Sequence, residues 1–252
     1  IEFNVEENAN VSYQVYDLSG RMVKHNVLGT YGQGKHNAKF KVESDKAETE
    51  YWPIKVFFRT WSEMSEIERK ALNLCKGATL DVGAGSGSHV LCLQEKGIDV
   101  RAIDISEGAV EVMLQRGVRC ASVADFYTYD GPCVDTLLML MNGAGIAGSM
   151  SNLPTFLTKA KSLLNEGGQL LMDSSDLLYL YEDEDGSVMI DLNDDYYGEL
   201  TYTMSYAGEK GDAFPWLFVD YDTLEAVAAG IGFKCEKIYE DDNCQYLVRL
   251  TC

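Results

Sequence analysis

A glycine-rich stretch followed by an acidic residue is the part of this sequence whose residue types and spacing could do chemistry. Residues 80–87 read LDVGAGSG, and Asp104 stands 23 residues beyond Asp81. Glycines let a backbone approach a ligand and adopt positive φ angles, and the first N–H groups of a following helix can bind polar ligand atoms. A carboxylate at the end of the next strand can accept two hydrogen bonds from a ribose diol. The pattern therefore predicts a site for a nucleotide-type ligand.

The spacing of the glycines separates two kinds of nucleotide ligand. The dinucleotide fingerprint is GxGxxG, whereas Gly83, Gly85 and Gly87 give GxGxG here, with Ser at position 88. Asp81 stands two residues before the first glycine, where its charge would repel a pyrophosphate but suit an ammonium or sulfonium group. The residues therefore favour S-adenosylmethionine (SAM) over NAD, and an NAD-dependent oxidoreductase remains a less favoured alternative.

Alternating strand and helix patterns must position this loop. Helices are predicted at 89–96, 107–116, 153–164 and 221–229, and strands at 78–82, 98–103, 118–123, 134–141, 169–172, 233–239 and 245–251. Such repetition predicts a parallel sheet with helices on both faces. The tight EDDN turn at 240–243 makes the last two strands antiparallel. The predicted fold class is α/β, a Rossmann-like doubly wound sheet, mostly parallel with an antiparallel C-terminal strand, an inserted β-hairpin and an N-terminal β/helical extension.

The predicted division of the chain has three parts. Residues 1–42 are expected to form a β-hairpin extension with a turn at 17–20, and 43–77 an aromatic lid followed by a helix. Two capping boxes, Thr60 with Glu63 and Ser65 with Glu68, are candidates for the start of that helix. Residues 78–252 form the ligand-binding domain, in which 176–220 carries an acidic loop and an inserted hairpin turning at 208–211.

Composition limits the partners. Forty acidic and 21 basic residues give a net charge of −19, whereas nucleic acids and anionic membranes attract clustered Lys and Arg. We therefore expect neither partner. Seven cysteines without a CxxC pair are typical of reduced thiols and favour the cytoplasm, and three scattered histidines predict no metal site. No apolar run reaches the ~18 residues of a membrane-spanning helix.

The motifs of residues 55–252 resemble those of the class I SAM-dependent methyltransferases, in matching order and spacing. LDVGAGSGSH resembles the first motif of that class, VRAIDIS (100–106) the second, VADF (123–126) the third, VDTLLMLMNGAGIAG (134–148) the fourth and GGQLLMDSSD (167–176) the fifth. LMNGAG and DSSDLLYL look most like a bacterial group without an assigned substrate. In residues 1–42, VYDLSGRMV and GKHNAKF resemble small β-sandwich modules of secreted and flagellar-hook-associated bacterial proteins. Either a surface module or a hairpin packed on the main domain fits these forty residues.

The methyltransferase resemblance implies a role for each motif residue. The methionine and ribose part of SAM would contact Asp81, Gly83, Ala84, Gly85 and Gly87, and Asp104 would bind the ribose hydroxyls. Around the adenine and the sulfonium the implied contacts are Ile105, Asp125, Phe126, Asn142 and Gly143. His89 is a further cofactor or acceptor contact, or a structural residue at the start of a helix. The Asn-Pro-Pro-aromatic motif of amino-methylating nucleic-acid enzymes is absent, because Asn142 is followed by Gly-Ala-Gly.

Acceptor-side groups are expected near the carboxyl end of the fifth strand, where ligands bind in open α/β sheets. We predict Asn142 and Asp173 as catalytic residues, and as substrate contacts Arg59, Ser174, Asp176, Tyr197 and Trp216. Ser175 is a further candidate. Each group has a structural alternative: helix capping for DSSD, hairpin packing for the two aromatic residues, and core packing for the segment that carries Arg59.

The resulting hypothesis is methyl transfer from SAM to a small-molecule acceptor by in-line displacement, in a monomer or homodimer. Such a reaction depends on alignment and on exclusion of water, and a general base is needed only if the acceptor must lose a proton. A non-catalytic SAM-binding protein is the alternative, which a filled acceptor cavity beside Asn142 would favour.

Overall fold

The computed structural model describes residues 2–5, 9–16, 22–31, 34–37, 39–183, 187–190, 195–206 and 209–252, the first four ranges by their backbone alone. The first four strands are β1 (Glu2–Val5), β2 (Ala9–Tyr16), β3 (Met22–Tyr31) and β4 (Gly34–Asn37). β2 and β3 form the predicted antiparallel hairpin, and β1 pairs with β4. The predicted turn at 17–20 lies outside the described residues.

A seven-stranded sheet forms the centre of the molecule. Its strands are β7 (Thr79–Val82), β8 (Val100–Asp104), β9 (Ala121–Val123), β10 (Val134–Met139), β11 (Leu164–Ser175), β15 (Lys234–Glu240) and β16 (Gln245–Thr251). They lie in the order β15-β16-β11-β10-β7-β8-β9, and β16 is antiparallel to both of its neighbours. The strand order reverses between β7 and β10, so the carboxyl ends of these two strands flank the crevice in which such sheets bind ligands. The predicted fold class is confirmed.

Five helices cover the two faces of this sheet. They are α1 (Glu66–Leu74), α2 (Ser88–Glu95), α3 (Glu107–Gln115), α4 (Leu153–Ser162) and α5 (Tyr221–Ile231). Neighbouring strand residues point to opposite faces. Leu137 therefore packs with α4 and α5, whereas Leu138 packs with α1, α2 and α3. Among the described residues, no helix is both long and apolar enough to cross a membrane.

The junction of α4 and β11 differs from the sequence prediction. The helix was expected to reach 164 and the strand to start at 169, but α4 ends at Ser162 and β11 begins at Leu164. Gly167 adopts a φ of 72°, and the register with β10 shifts between Val134 and Thr136. The Gly-Gly pair therefore forms a bulge inside the strand rather than a loop before it, since glycine tolerates this backbone conformation.

A second sheet combines two distant segments of the chain. Its strands are β5 (Lys39–Ser44), β6 (Glu50–Pro53), β12 (Glu199–Tyr206), β13 (Glu209–Lys210) and β14 (Phe214–Leu217). β12 pairs with β5, β13 and β14, and β5 also pairs with β6. The predicted boundary at 42/43 therefore falls inside β5. The predicted inserted hairpin is present, although position 208 of its turn and parts of the acidic loop (184–186 and 191–194) lie outside the described residues.

Candidate functional site

The glycine loop joins β7 to α2 at the carboxyl edge of the central sheet. Gly83, Gly85 and Gly87 have φ angles of 68°, 57° and 81°, a region that favours glycine. A Cβ at Gly87 would lie 2.8 Å from Val118 and 2.9 Å from Met113, so only glycine fits there. The backbone of Gly83 is exposed and that of Gly85 half-buried. The loop therefore presents open backbone toward the crevice, as expected. Ala84, by contrast, is buried.

Asp104 fixes the glycine loop from the neighbouring strand. Its Oδ2 accepts a hydrogen bond from Gly85 N (2.8 Å) and its Oδ1 one from Ser106 N (2.9 Å). Burial raises the pKa of this carboxyl, and the two N–H donors oppose the increase. The next residue, Ile105, keeps 39% of its surface exposed, and Val123 at the end of β9 keeps 50%. Two exposed apolar side chains therefore lie beside an acidic group at this edge of the sheet.

Asp81 is buried at the end of β7 with an unsatisfied atom. Asp81 is 2% exposed, and its Oδ2 atom has no hydrogen-bond partner within the described residues. Burial raises the pKa of Asp81 to about 6, and the charge of Asp104 adds to this effect while that of His89 opposes it. An unpaired buried carboxylate oxygen is costly, so this position calls for a donor from a ligand.

Glu68 is the hub of a buried ionic cluster next to Asp81. Its Oε1 lies 2.7 Å from Arg59 Nη2 and 2.8 Å from His89 Nε2. Its Oε2 accepts from Arg59 Nη1 (2.8 Å) and from Ser65 N (2.8 Å). Burial opposes ionisation, but hydrogen bonding and charge from His89, with Ser65 N and Arg59, lower the pKa of Glu68 to about 2. The pKa of His89 is raised, because the hydrogen bond to Glu68 and the charge of Asp81 outweigh its burial.

Sequence reasoning had assigned Glu68 only to a capping box. Both predicted boxes form: Ser65 with Glu68 starts α1, and Thr60 with Glu63 starts a short 3-10 turn, Trp61–Glu63. The contact of Glu68 with Arg59 and His89 joins residues 9 and 21 positions away, which no local pattern reveals. Arg59 Nε is also buried without a partner among the described residues.

The segment before Arg59 is tied to the glycine loop. The carbonyl oxygen of Phe57 accepts hydrogen bonds from the hydroxyls of Ser86 and Ser88, the second at 2.7 Å. Arg116, at the end of α3, donates to Ser86 O (2.6 Å) and lies 5.1 Å from the ring centre of Phe58. The predicted lid segment is therefore anchored directly on the glycine loop. Arg116 was not predicted, because its spacing from the loop has no motif.

The third motif forms a turn after β9. Asp125 Oδ1 accepts from Tyr127 N (2.8 Å) and Thr128 N (3.1 Å), and the residue is half-buried. Phe126 is 5% exposed and its ring centre lies 5.3 Å from that of Phe156 in the core. The ring of Phe126 thus supports the turn from behind, while Asp125 stays accessible at the edge of the sheet.

Asn142 and Asp173 lie at the ends of β10 and β11. Asn142 Nδ2 donates to Leu217 O (3.0 Å), and its Oδ1 accepts from Ser174 Oγ (2.9 Å). Asp173 accepts from Gly143 N (3.1 Å) and from Gln245 Nε2 (2.9 Å). Burial raises the pKa of Asp173, opposed by these donors and by Asn142 N. Both predicted catalytic residues are therefore buried and engaged with the protein.

The backbone is strained at this point. Met141 and Asn142 have φ angles of 66° and 60°, values that cost energy in residues other than glycine and are concentrated at functional sites. With these positive φ angles, the Met141 sulfur lies 3.1 Å from Arg59 Nη2, and the Asn142 side-chain amide contacts the inserted hairpin.

The remaining acceptor-side candidates occupy the insert and its base. Tyr197 donates to Asp176 Oδ1 (2.7 Å), and its pKa is raised by burial, by Tyr196 and by Asp176. A Cβ at Gly145 would overlap the indole of Trp216, so the ring packs against the 3-10 turn Gly143–Ala147. Ser174 Oγ also accepts from Val219 N (3.0 Å). No group of metal-binding side chains occurs among the described residues.

The comparisons identify the family. Residues 80–172 match the model of a methyltransferase domain. The crystal structure of a SAM-dependent methyltransferase from Bacteroides fragilis, in complex with S-adenosyl-L-homocysteine (SAH), is 47% identical with a TM-score of 0.79; the match covers 86% of this chain and 88% of that chain. This chain belongs to the SAM-dependent methyltransferases. The predicted family, cofactor and activity are thereby confirmed, and the NAD alternative is set aside.

More distant structures share the fold. The CcbJ methyltransferase of Streptomyces caelestis is 14% identical with a TM-score of 0.54, over 73% of this chain and 88% of that one. The sugar N-methyltransferase KedS8 of Streptoalloteichus sp. is 15% identical with a TM-score of 0.51, over 77% and 91%. No curated protein gives a significant match in sequence.

Proposed function

We propose that this methyltransferase acts on a small-molecule acceptor and holds the methionine end of SAM between Asp81 and Arg59. The observation that carries this assignment is a pair of buried side-chain atoms without partners in the described part of the chain, Asp81 Oδ2 and Arg59 Nε. One is an acceptor and the other a donor. The ammonium of a methionine group would donate to Asp81 Oδ2, and its carboxylate would accept from Arg59 Nε. Glu68 joins Arg59 to His89, whose charge acts on Asp81.

The other cofactor contacts follow from the geometry around the loop. Asp104 would bind the ribose hydroxyls with the outer lone pairs of its carboxylate, because Gly85 N and Ser106 N fix its orientation. Ile105 would lie against the adenine and Asp125 would accept from its amino group. The relative from Bacteroides fragilis was crystallised with SAH, which supports a site for this cofactor in the present chain.

The residues of this chain would act mainly by alignment. SAM supplies an electrophilic methyl group. Asn142 and Asp173 would keep the end of β10 and the inserted hairpin in fixed positions, since their polar atoms already have protein partners. The second sheet, anchored on both sides of the crevice, would exclude water. Alignment and water exclusion are the main sources of rate enhancement for a displacement of this kind.

The charge of the chain supports a small acceptor. A net charge of −19 opposes association with nucleic acid and with anionic membranes. We place the protein in the cytoplasm because its seven cysteines are compatible with reduced thiols; those of the described residues are all free. A monomer or homodimer is the assembly we expect.

Isothermal titration with SAH tests the cofactor assignment. We expect micromolar binding by the wild-type protein and a loss of about 100-fold in Asp104→Ala, because two hydrogen bonds to a charged group are removed. Glu107→Ala, which alters a nearby exposed carboxylate, should bind like the wild type. A folded wild-type protein that binds no SAH would contradict the assignment, and equal losses in both variants would exclude a specific role for Asp104.

A further inference from the structure

One face of the second sheet is lined with aromatic and apolar side chains. Residues directly opposite across a strand pair, and residues two apart along a strand, share a face. The register pairs Phe40 with Trp52, Val42 with Met204 and Tyr202 with Phe214. The aromatic face is thus formed chiefly by Phe40, Trp52, Tyr202, Met204, Phe214 and Trp216.

This aromatic face spans the crevice of the cofactor. At one end Phe40 stacks on Phe57, with ring centres 5.5 Å apart, and the carbonyl of Phe57 is bound by the serines of the glycine loop. At the other end Trp216 packs against Gly145 in the turn that follows β10. The face therefore covers the gap between the carboxyl ends of β7 and β10, where the methyl group of SAM would lie.

The side chains that β12 and β14 contribute to the aromatic face keep accessible surface although they face the protein. Tyr202, Met204, Phe214 and Trp216 are half-buried, whereas Phe40 on β5 is buried and Trp52 on β6 is exposed. Large apolar side chains that turn toward the protein without becoming buried leave room for a ligand. The arrangement fits the flat or apolar body of an acceptor.

The charges around this face favour a cation over an anion. Glu50 and Glu209 are the charged side chains among the described residues of the face; the carboxylate of Glu50 accepts a hydrogen bond from Trp52 Nε1, and Glu209 pairs with Tyr206. Burial, and then the charges of Glu50, Tyr179 and Asp45, raise the pKa of Tyr202 to about 12. Lys41 and Lys210 lie on the opposite face of the sheet. Aromatic rings attract ammonium groups through their π faces, and the carboxylates strengthen this preference.

The groups near the reacting atoms favour a nucleophile that needs no general base. Asp173 accepts hydrogen bonds on both oxygens, Asn142 is engaged at both amide atoms, and His89 is held by Glu68. Among the described residues next to Asn142, the polar side chains therefore already serve protein partners, which favours an acceptor that reacts without a general base. A neutral amine already carries the lone pair that a displacement requires.

We propose that the acceptor is an amine on an aromatic or apolar body, bound against Tyr202, Phe214 and Trp216; this inference rests on the proposed function. The acceptor binds as an ammonium and releases one proton to solvent before the transfer. Its neutral nitrogen then forms the new N–C bond while the S–C bond breaks, and the electron pair of that bond stays on the sulfur of SAH. The product is the methylated ammonium.

Three probes with one indole body test this inference: tryptamine, tryptophol and indole-3-acetate. Their dissociation constants are measured by titration of the SAH-saturated protein. We expect tryptamine to bind about tenfold more tightly than indole-3-acetate. Glu50→Gln should reduce this ratio, because it removes one of the two carboxylates of the face. A preference for the carboxylate, equal affinities, or no tryptamine binding at millimolar concentration would overturn the proposal.

A matched pair of variants locates the binding surface. Tyr202→Leu should weaken tryptamine binding about fivefold and leave the affinity for SAH unchanged. Tyr51→Ala, which removes an exposed ring from the opposite face of the same sheet, should change neither. Equal losses in both variants would contradict the assigned surface. A protein that binds no SAH would instead contradict the proposed function, so the two failures are distinguishable.

Discussion

In the cofactor half of the crevice, Asp81 Oδ2 and Arg59 Nε are buried without a hydrogen-bond partner among the described residues. In the acceptor half, Asn142, Asp173 and Ser174 are equally buried, but each side-chain polar atom has a protein partner. The cofactor half therefore keeps polar groups for a charged ligand. In the acceptor half, the polar side chains bind neighbouring loops of the protein, so the surface left for a ligand is mainly aromatic.

This difference separates two ways of recognising a ligand. Unsatisfied buried polar atoms are costly unless a ligand completes them, so they select a ligand of defined charge and geometry. Apolar surface is less specific, because burial depends mainly on area and shape.

The largest expected effect comes from breaking the ionic cluster. Glu68→Gln removes the charge that compensates Arg59 and His89, and losing one partner of a buried ion pair costs roughly 3 to 5 kcal/mol. We expect the free energy of unfolding in urea to fall by about this amount. Glu66→Gln, on the same turn of α1 and paired with Lys70 at the surface, should change it by less than about 1 kcal/mol. Similar values for both variants would show that the cluster adds no stability.

The hydroxyl of Ser174 tests whether the polar groups of the acceptor half are structural. Ser174→Ala removes the bonds to Asn142 Oδ1 and Val219 N and should lower the free energy of unfolding by about 1 to 3 kcal/mol. The affinity for SAH should stay unchanged. Ser175→Ala, at the next position of β11, is the control. If Ser174→Ala abolishes turnover without loss of stability, Ser174 contacts the acceptor and the comparison between the two halves is wrong.

The smallest effect is a pH dependence of cofactor binding. Because the pKa of Asp81 is raised to about 6, its carboxylate becomes protonated as the pH falls below that value and can no longer pair with an ammonium group. We expect the affinity for SAH to fall by up to about tenfold per pH unit below pH 6 and to be constant above it. Asp81→Asn should bind more weakly at pH 7.5 and show a flatter profile. An identical pH profile in both proteins would show that Asp81 does not contact the cofactor.

The central sheet and the cofactor loop could be predicted from the sequence because their signals are local. Strand and helix periods, the glycine spacing and the distance from Asp81 to Asp104 all lie within short stretches of chain. The bulge at Gly167 was missed because two glycines usually indicate a loop. The cluster around Glu68 and the pairing of β5 with β12 depend on contacts between distant residues, for which one sequence carries no pattern. The roles of Asn142 and Asp173 in catalysis stay predictions.

The second sheet also has a consequence for biosynthesis. Its strands β5 and β12 are joined by Thr201 N and Asp45 Oδ1, residues 156 positions apart. At about 5 to 20 residues per second, a ribosome needs roughly 10 to 30 s between making the two strands. During that time the edge of β5 that later pairs with β12 has no partner, and an unpaired strand edge that carries Phe40 and Val42 is prone to associate with other chains. The surface that selects the acceptor therefore closes only after most of the polypeptide has been translated.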